Sequence, residues 1–268
     1  MDRIKRRYTY SWILLKQLVQ VDFKLRYQSS LLGYLWSLLR PLAIFVILYI
    51  VFVKFLKVGQ SIPHFPVYLL LGIVLWNFFV EITSGSVASI VGRGDLLRKI
   101  NFPKYVIVLA GSFSALINLG INLLVVGMFM LISGVNLTSG VYLIPLLIIE
   151  MFIFSIGIAF FLSAAFVKFR DIGYIWEVII QAAFYATPIL YPISIIPIRA
   201  AKLLILNPAA QIIQDGRYLL VTHKTETITT IYGGNQYARA IPIMIVLAVF
   251  AFGAWYFRSQ SKSFAENI

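Results

Sequence analysis

The chain has no cysteine among its 268 residues. That excludes disulfides, thiolate metal sites and a cysteine nucleophile. Histidine is almost as scarce: His64 and His223 stand far apart in sequence, so no imidazole cluster is expected. Charged residues make up only 12% of the chain and apolar residues 60%. A soluble domain carries roughly twice that charged share. No G-x-x-x-x-G-K-[ST] loop is present to cradle nucleotide phosphates, and no nucleophile–base–acid set is evident. The chain is therefore not expected to be an enzyme, nor to hold a cofactor or metal of its own. The first twelve residues are basic but lead into no short apolar core with a cleavage site, so no signal peptide is expected.

What the sequence has instead is hydrophobic length. Mean hydropathy is +0.89, and several apolar runs reach the roughly 20 residues that cross a bilayer as a helix. A helix satisfies its own backbone in lipid, and the alternating short segments of a barrel are missing. The expected fold is an all-α integral membrane protein with six transmembrane helices. They run from about Leu35 to Phe55, Pro66 to Ile90, Tyr105 to Ile132, Val141 to Val167, Tyr174 to Leu190 and Ala240 to Phe257. No repeat, low-complexity tract or soluble domain interrupts them, so residues 1–268 read as a single transmembrane domain.

The net charge of +13 invites a nucleic-acid reading, which its distribution opposes. The charges fall in the gaps between apolar runs, as membrane topology requires. Of the 23 Lys and Arg residues, sixteen lie on the side of the N-terminal segment and seven on the other. Both termini are therefore expected to be cytoplasmic.

Four segments carry candidate mechanism. In the N-terminal one, Leu14, Leu18, Val21, Leu25 and Leu32 recur at helical spacing, with Gln17, Gln20, Lys24 and Gln28 on the other face. This predicts an amphipathic helix in the membrane interface, with Asp22 and Arg26 spaced to pair. The alternative is a basic topology anchor only. The second segment, GRGDLLRKINFP at Gly92–Pro103, predicts a short helix from Leu96 to Asn101, capped by Asp95. Pro103 is expected to open the next span at its first turn. The alternative is an ordinary charged turn. The third, Lys168–Asp171, reads equally well as a simple interface marker. The fourth, Tyr191–Leu220, is broken by Pro192, Pro197 and Pro208 into apolar pieces too short to span. Such backbone belongs in re-entrant or interfacial helices covered by protein or facing a cavity.

Glu81, Glu150 and Glu177 lie within expected spans. Glu81 is the deepest, and either a proton relay or a structural hydrogen bond to Thr83, Asn77 or another helix accounts for it. Trp36, Tyr49, Phe184 and Tyr185 are candidates for lining a path that sugars could follow. Packing and interfacial belts account for aromatic residues equally well.

Taken in order, RYQSSLLGYLWSLLRPL at Arg26–Leu42, GRGDLLRKINFP at Gly92–Pro103, FRD at Phe169–Asp171, TPILYP at Thr187–Pro192, and LNP at Leu206–Pro208 followed by Arg217 form a pattern. It resembles the membrane subunits of type-2 ABC exporters, most closely the branch that exports O-antigen, capsule and teichoic-acid type polymers. Thr187 stands where Ser is more usual. The resemblance covers nearly the whole chain. It implies a homodimer in the bacterial cytoplasmic (inner) membrane, with two separate nucleotide-binding ATPase subunits below that hold ATP and Mg. It implies an interface helix at residues 8–33 and a coupling helix at 92–103 that docks into the ATPase, through Gly92, Arg93, Asp95, Leu96, Leu97, Lys99, Ile100, Phe102 and Pro103. It implies outer re-entrant helices at 191–220, with Pro188, Tyr191, Pro192, Asn207 and Pro208 at an outer gate. The implied cargo is a polyprenyl-diphosphate-linked glycan. Arg26 and Arg40 are candidate contacts for its diphosphate, because arginine binds phosphate oxygens in pairs. The alternatives are a type-2 ABC exporter of a drug or small lipid, and a proton-coupled secondary transporter using Glu81. No nucleic-acid partner is expected.

Overall fold

The computed structural model describes residues 2–27, 35–59, 62–100, 102–135 and 139–264. Residues 28–33 of the expected interface helix, with Leu32 and Gln28, and Asn101 lie outside the described residues. Every α-helix among the described residues is as follows: α1 (Asp2–Tyr27), α2 (Trp36–Leu48), α3 (Phe65–Val87), α4 (Gly94–Lys99), α5 (Tyr105–Ile132), α6 (Ile144–Lys168), α7 (Ile172–Ala186), α8 (Ile198–Leu204), α9 (Pro208–Leu220), α10 (Ile228–Ile231) and α11 (Ala240–Gln260). No strand occurs among the described residues.

Among the described residues, five helical segments are long and apolar enough to cross a membrane: Leu38–Phe55, Phe65–Val87, Tyr105–Ile132, Gly140–Lys168 and Gln236–Gln260. The fifth expected span, Tyr174–Leu190, is shorter than its apolar run. α7 has 15 residues, about 22 Å at 1.5 Å per residue, against roughly 30 Å of hydrocarbon. It stops because Thr187 turns extended, with ψ 135°, as a residue before proline must. Residues 187–190, which hydropathy alone assigned to the span, form a buried turn instead.

Local chemistry sets the other ends. His64 adopts a left-handed conformation, φ 56°, and Pro66 follows at the first turn of α3. Asn207 caps α9, accepting from the Ala209 N–H at 3.1 Å, with Pro208 at the first turn. α2 carries Pro41 inside it and passes into a π-helical stretch, Tyr49–Phe55. Periodicity gave no sign of that stretch.

α3 is the hub. It packs on α5, α6, α7 and α9, and 78% of its most apolar window is buried, against 6% for the α2 span. α11 lies along α6 so closely that a Cβ on Gly253 would sit 1.9 Å from the Gly157 carbonyl oxygen. Glycine at both positions lets the two backbones touch, the usual device for close helix approach in lipid. α2, α7 and α11 keep broad apolar faces exposed, including Ile47, Phe55, Val178 and Trp255. In a membrane those faces meet lipid or a further chain.

The segment after Tyr191 resolves into a 3-10 turn (Ile193–Ile195), α8 and α9. α8 joins α10 in a small separate apolar cluster built on Ala201, Ile205, Ile228 and Ile231. α9 is almost wholly buried against α3 and α6.

Candidate functional site

The coupling segment begins where α3 ends. A 3-10 turn (Val91–Arg93) leads into α4. The helix starts at Gly94 and ends at Lys99, so Asp95 is not its cap. Arg93 occupies the capping position and makes no side-chain cap bond. Asp95 lies in the first turn, and Arg98 and Lys99 in the last, each at the end of the helix dipole that favours its charge. Gly92, Asp95, Lys99 and Ile100 are exposed, and Leu96 and Leu97 are half-buried against the main core. Phe102 is buried and fastens the segment beneath the spans. Pro103 does not open α5. It lies before the Lys104 N-cap, and its carbonyl accepts from Val106 N–H at 3.1 Å.

Asp22 was expected to pair with Arg26. Its carboxylate receives the Arg93 guanidinium, an ion pair from α1 to the start of α4. The two side chains are 19% and 24% exposed, so the pair is only partly screened by water. α1 also packs along α5. The interface helix and the coupling segment are thereby tied to each other. The side chain of Arg26 lies outside the described residues. Lys104 donates to the Ser261 carbonyl and stands 5.4 Å over the Phe264 ring, which ties the start of α5 to the end of α11. Burial lowers the Lys104 pKa.

A polar cleft of ≈ 600 Å³ lies between α2, α3 and α5. Each helix brings a pair of residues four apart, which places both on one face: Trp36 and Arg40 from α2, Asn77 and Glu81 from α3, Asn118 and Asn122 from α5. The Asn118 amide donates to Glu81 Oε2 at 2.7 Å. Glu81 thus meets another helix, as one of its two expected roles required, while Thr83 bonds the Phe79 carbonyl of its own helix. A second cavity of ≈ 320 Å³ is also lined by Glu81 and Gly85 and reaches Asp22 and Arg93. Sequence reasoning noted Glu81 but missed Asn118 and Asn122. The signal was a polar pair at i, i+4 repeated inside two otherwise apolar runs, Asn77 with Glu81 and Asn118 with Asn122.

The candidate path aromatics divide. Trp36 and Tyr185 are exposed. Phe184 packs 6.1 Å from Trp76, and Tyr49 packs 5.9 Å from Phe45. Of the other two acids within expected spans, Glu150 has Asp215 and Arg239 as charged neighbours. Asp215 pairs with Arg239 and accepts from the Gln211 amide at 2.6 Å. Glu177 is exposed.

The turn after α7 is held by a residue that the sequence offered only as a charge closing the family pattern. Arg217 of α9 is fully buried. It donates to the Tyr68 carbonyl at 2.9 Å, to the Pro188 carbonyl at 2.6 Å and to the Ile189 carbonyl at 2.6 Å. Its guanidinium lies 3.7 Å over the Tyr68 ring. Gly72 makes the room: a Cβ there would meet Arg217 Nη2 at 2.2 Å. One planar fork therefore joins α3, the turn after α7, and α9. Tyr191 closes the same turn by donating to the Tyr185 carbonyl at 2.8 Å, and burial raises its pKa. Pro188 and Pro192 are buried with it, and Asn207 and Pro208 serve as the cap and first turn of α9.

The family model described as "ABC-2 type transporter" matches residues 13–221. The O-antigen export system permease protein RfbA of Myxococcus xanthus is 29% identical over 274 residues, covering 99% of this chain and 98% of that protein. Two proteins of the same name from Klebsiella pneumoniae are 32% and 30% identical. The first covers 85% of this chain and 90% of its own length, the second 82% and 84%. An all-α chain with several membrane-length helices, matched over these residues, belongs to the ABC-2 type transporter family of multi-pass membrane transport subunits.

Proposed function

We propose that this chain is the membrane-spanning subunit of an ATP-driven exporter that moves a lipid-linked polysaccharide, of O-antigen, capsule or teichoic-acid type, across the bacterial cytoplasmic membrane. The observation that carries this reading is the near-full-length similarity to a protein named as an O-antigen export permease. Two copies of the chain pair through their exposed apolar helix faces. Two ATPase subunits sit below and supply ATP and Mg. Both termini face the cytoplasm, in keeping with the charge distribution.

In this mechanism ATP closes the ATPase pair, which pushes on α4 and α1 together. The Asp22–Arg93 ion pair supports that joint movement, because it makes the two segments one force-receiving surface. α3 begins at the outer side, at the Arg217 fork, and ends beside α4. It can therefore carry the push to the outer turn. Arg26 and Arg40 supply basic contacts for the diphosphate at the entrance. The exposed aromatics Trp36 and Tyr185 offer faces along the way.

The test is co-purification with the ATPase encoded beside it, followed by ATPase assays with lipid-linked glycans. Stimulation by such a glycan is expected. Leu97→Glu with Ile100→Glu should abolish both co-purification and export, since both side chains lie on the coupling segment. Export that persists without any ATPase would overturn the reading in favour of a proton-coupled carrier, and Glu81→Gln would then stop it. Stimulation by a drug or a small lipid alone would favour the other exporter class.

A further inference from the structure

The cleft between α2, α3 and α5 has a chemistry of its own. It holds ≈ 600 Å³, within the roughly 300–1,000 Å³ typical of small-molecule sites. Its inner wall carries Asn77, Glu81, Asn118 and Asn122. Polar walls at membrane depth need water or a polar ligand against them. Carboxamides and a carboxylate offer donors and acceptors at once, which suits hydroxyl groups. Trp36 lies on the α2 side and is 51% exposed. An indole face there can pack on the apolar face of a sugar ring.

The charges argue against a phosphate in the interior. Arg40 is exposed, whereas Glu81 is half-buried and is fixed by the Asn118 amide. Among the described residues lining the cleft Arg40 is the one cation, and beyond it the wall offers carboxamides and a carboxylate, the partners of hydroxyls. In the adjoining cavity Arg93 is already matched by Asp22. Arg93 Nη1 is buried with no hydrogen-bond partner, a donor suited to a neutral oxygen. The arrangement fits a phosphate held outside and an uncharged polyhydroxylated group held within.

We infer that this cleft binds the sugar residue next to the diphosphate of the lipid-linked glycan, with the indole of Trp36 and the polar pairs of α3 and α5 as its walls. The inference rests on the exporter reading and adds a site to it. The occupant is a neutral sugar, read by its hydroxyls, and the diphosphate stays at Arg40.

The lack of native cysteine permits a direct test. Ser84 lines the cleft and is exposed, so Ser84→Cys in the permease–ATPase complex is labelled with a hydrophilic maleimide. Polyprenyl diphosphate bearing a neutral glycan should slow labelling about tenfold when present at about ten times its Kd. Polyprenyl diphosphate without sugar should not slow it. Leu131→Cys, on the exposed face of α5, should be indifferent to both. Equal protection by the sugar-free lipid, or none by either, overturns the site. As a second variant, Gly85→Leu sends a larger side chain into the cleft from a position where a Cβ meets nothing within 4 Å. It should abolish glycan protection and glycan-stimulated ATP hydrolysis while thermal stability holds. If both readouts survive Gly85→Leu, the site is wrong. ATPase stimulation by the glycan without protection at Ser84→Cys rejects the site alone. Protection without any stimulation rejects the exporter reading and leaves the site standing.

Discussion

Gly72→Ala isolates the Arg217 fork, because two effects of opposite sign compete at one atom. In a helix interior, alanine is favoured over glycine by about 1 kcal/mol, so propensity alone forecasts a stabilised protein. The structure forecasts the reverse. The new Cβ would lie 2.2 Å from Nη2 and 3.0 Å from Cζ of Arg217. The guanidinium has little room to yield, since it donates to three carbonyls and lies on the Tyr68 ring. A shift that relieves the overlap takes Nη2 from the Ile189 carbonyl and strains the Nη1 bond to Pro188. Hydrogen bonds from a charged donor contribute about 1.5–3 kcal/mol each. Losing one and weakening another costs roughly 3–4 kcal/mol on that scale, so after subtracting the helix gain a net loss of about 2–3 kcal/mol remains. Gly120→Ala on α5 is the matched control, as its Cβ would meet nothing within 4 Å. Thermal unfolding in nanodiscs, scanned at one rate, should place Gly72→Ala below wild type and Gly120→Ala at or above it. In an Arg217→Met background the two alanine substitutions should become equivalent, because the clash partner is gone. If Gly72→Ala unfolds with or above Gly120→Ala in the wild-type background, the fork is not held as described.

Two further outcomes follow from the packing. Gly253→Ala drives a Cβ into the Gly157 carbonyl at 1.9 Å, where both partners are backbone, so α6 and α11 must separate. Its thermal midpoint should fall further than that of Gly72→Ala, read in the same nanodisc scan. Asp22→Asn removes the charge that faces Arg93. The pair is partly exposed, so the stability cost should stay near 1 kcal/mol. Glycan-stimulated ATP hydrolysis should fall several-fold, because α1 and α4 no longer move as one. A stability loss with unchanged stimulation would make the pair structural only.

The hydrophobic architecture was legible because long apolar helices answer to composition and length. The span from Tyr105 to Ile132 coincides with α5, and Ala240 opens α11 as hydropathy placed it. The end of α7 was misplaced for a local reason. Leu190 and Ile189 are apolar, but Pro188 commits Thr187 to extended backbone, and hydropathy does not register that. Asp95 was misplaced by one turn of reasoning about caps, since Gly94 itself enters the helix. The short helix α4 could be located from the glycines and charges around it. Its link to α1 could not, because Asp22 and Arg93 are far apart in sequence and only the packing of α1 brings them together.

By itself, the sequence determined that the chain is all-helical and membrane-spanning, because lipid forces each apolar run to close its own hydrogen bonds. It also determined which segments interrupt the spans, through proline, glycine and charge. The tertiary structure alone decided which polar residues meet. Arg217 looked like an exterior charge and is a buried fork among carbonyls. Asn118 and Asn122, which the sequence reading passed over, complete a cleft with Glu81. Those outcomes depend on how neighbouring helices rotate and approach one another. Small residues such as Gly72 and Gly157 set that geometry, and a one-dimensional pattern does not encode it.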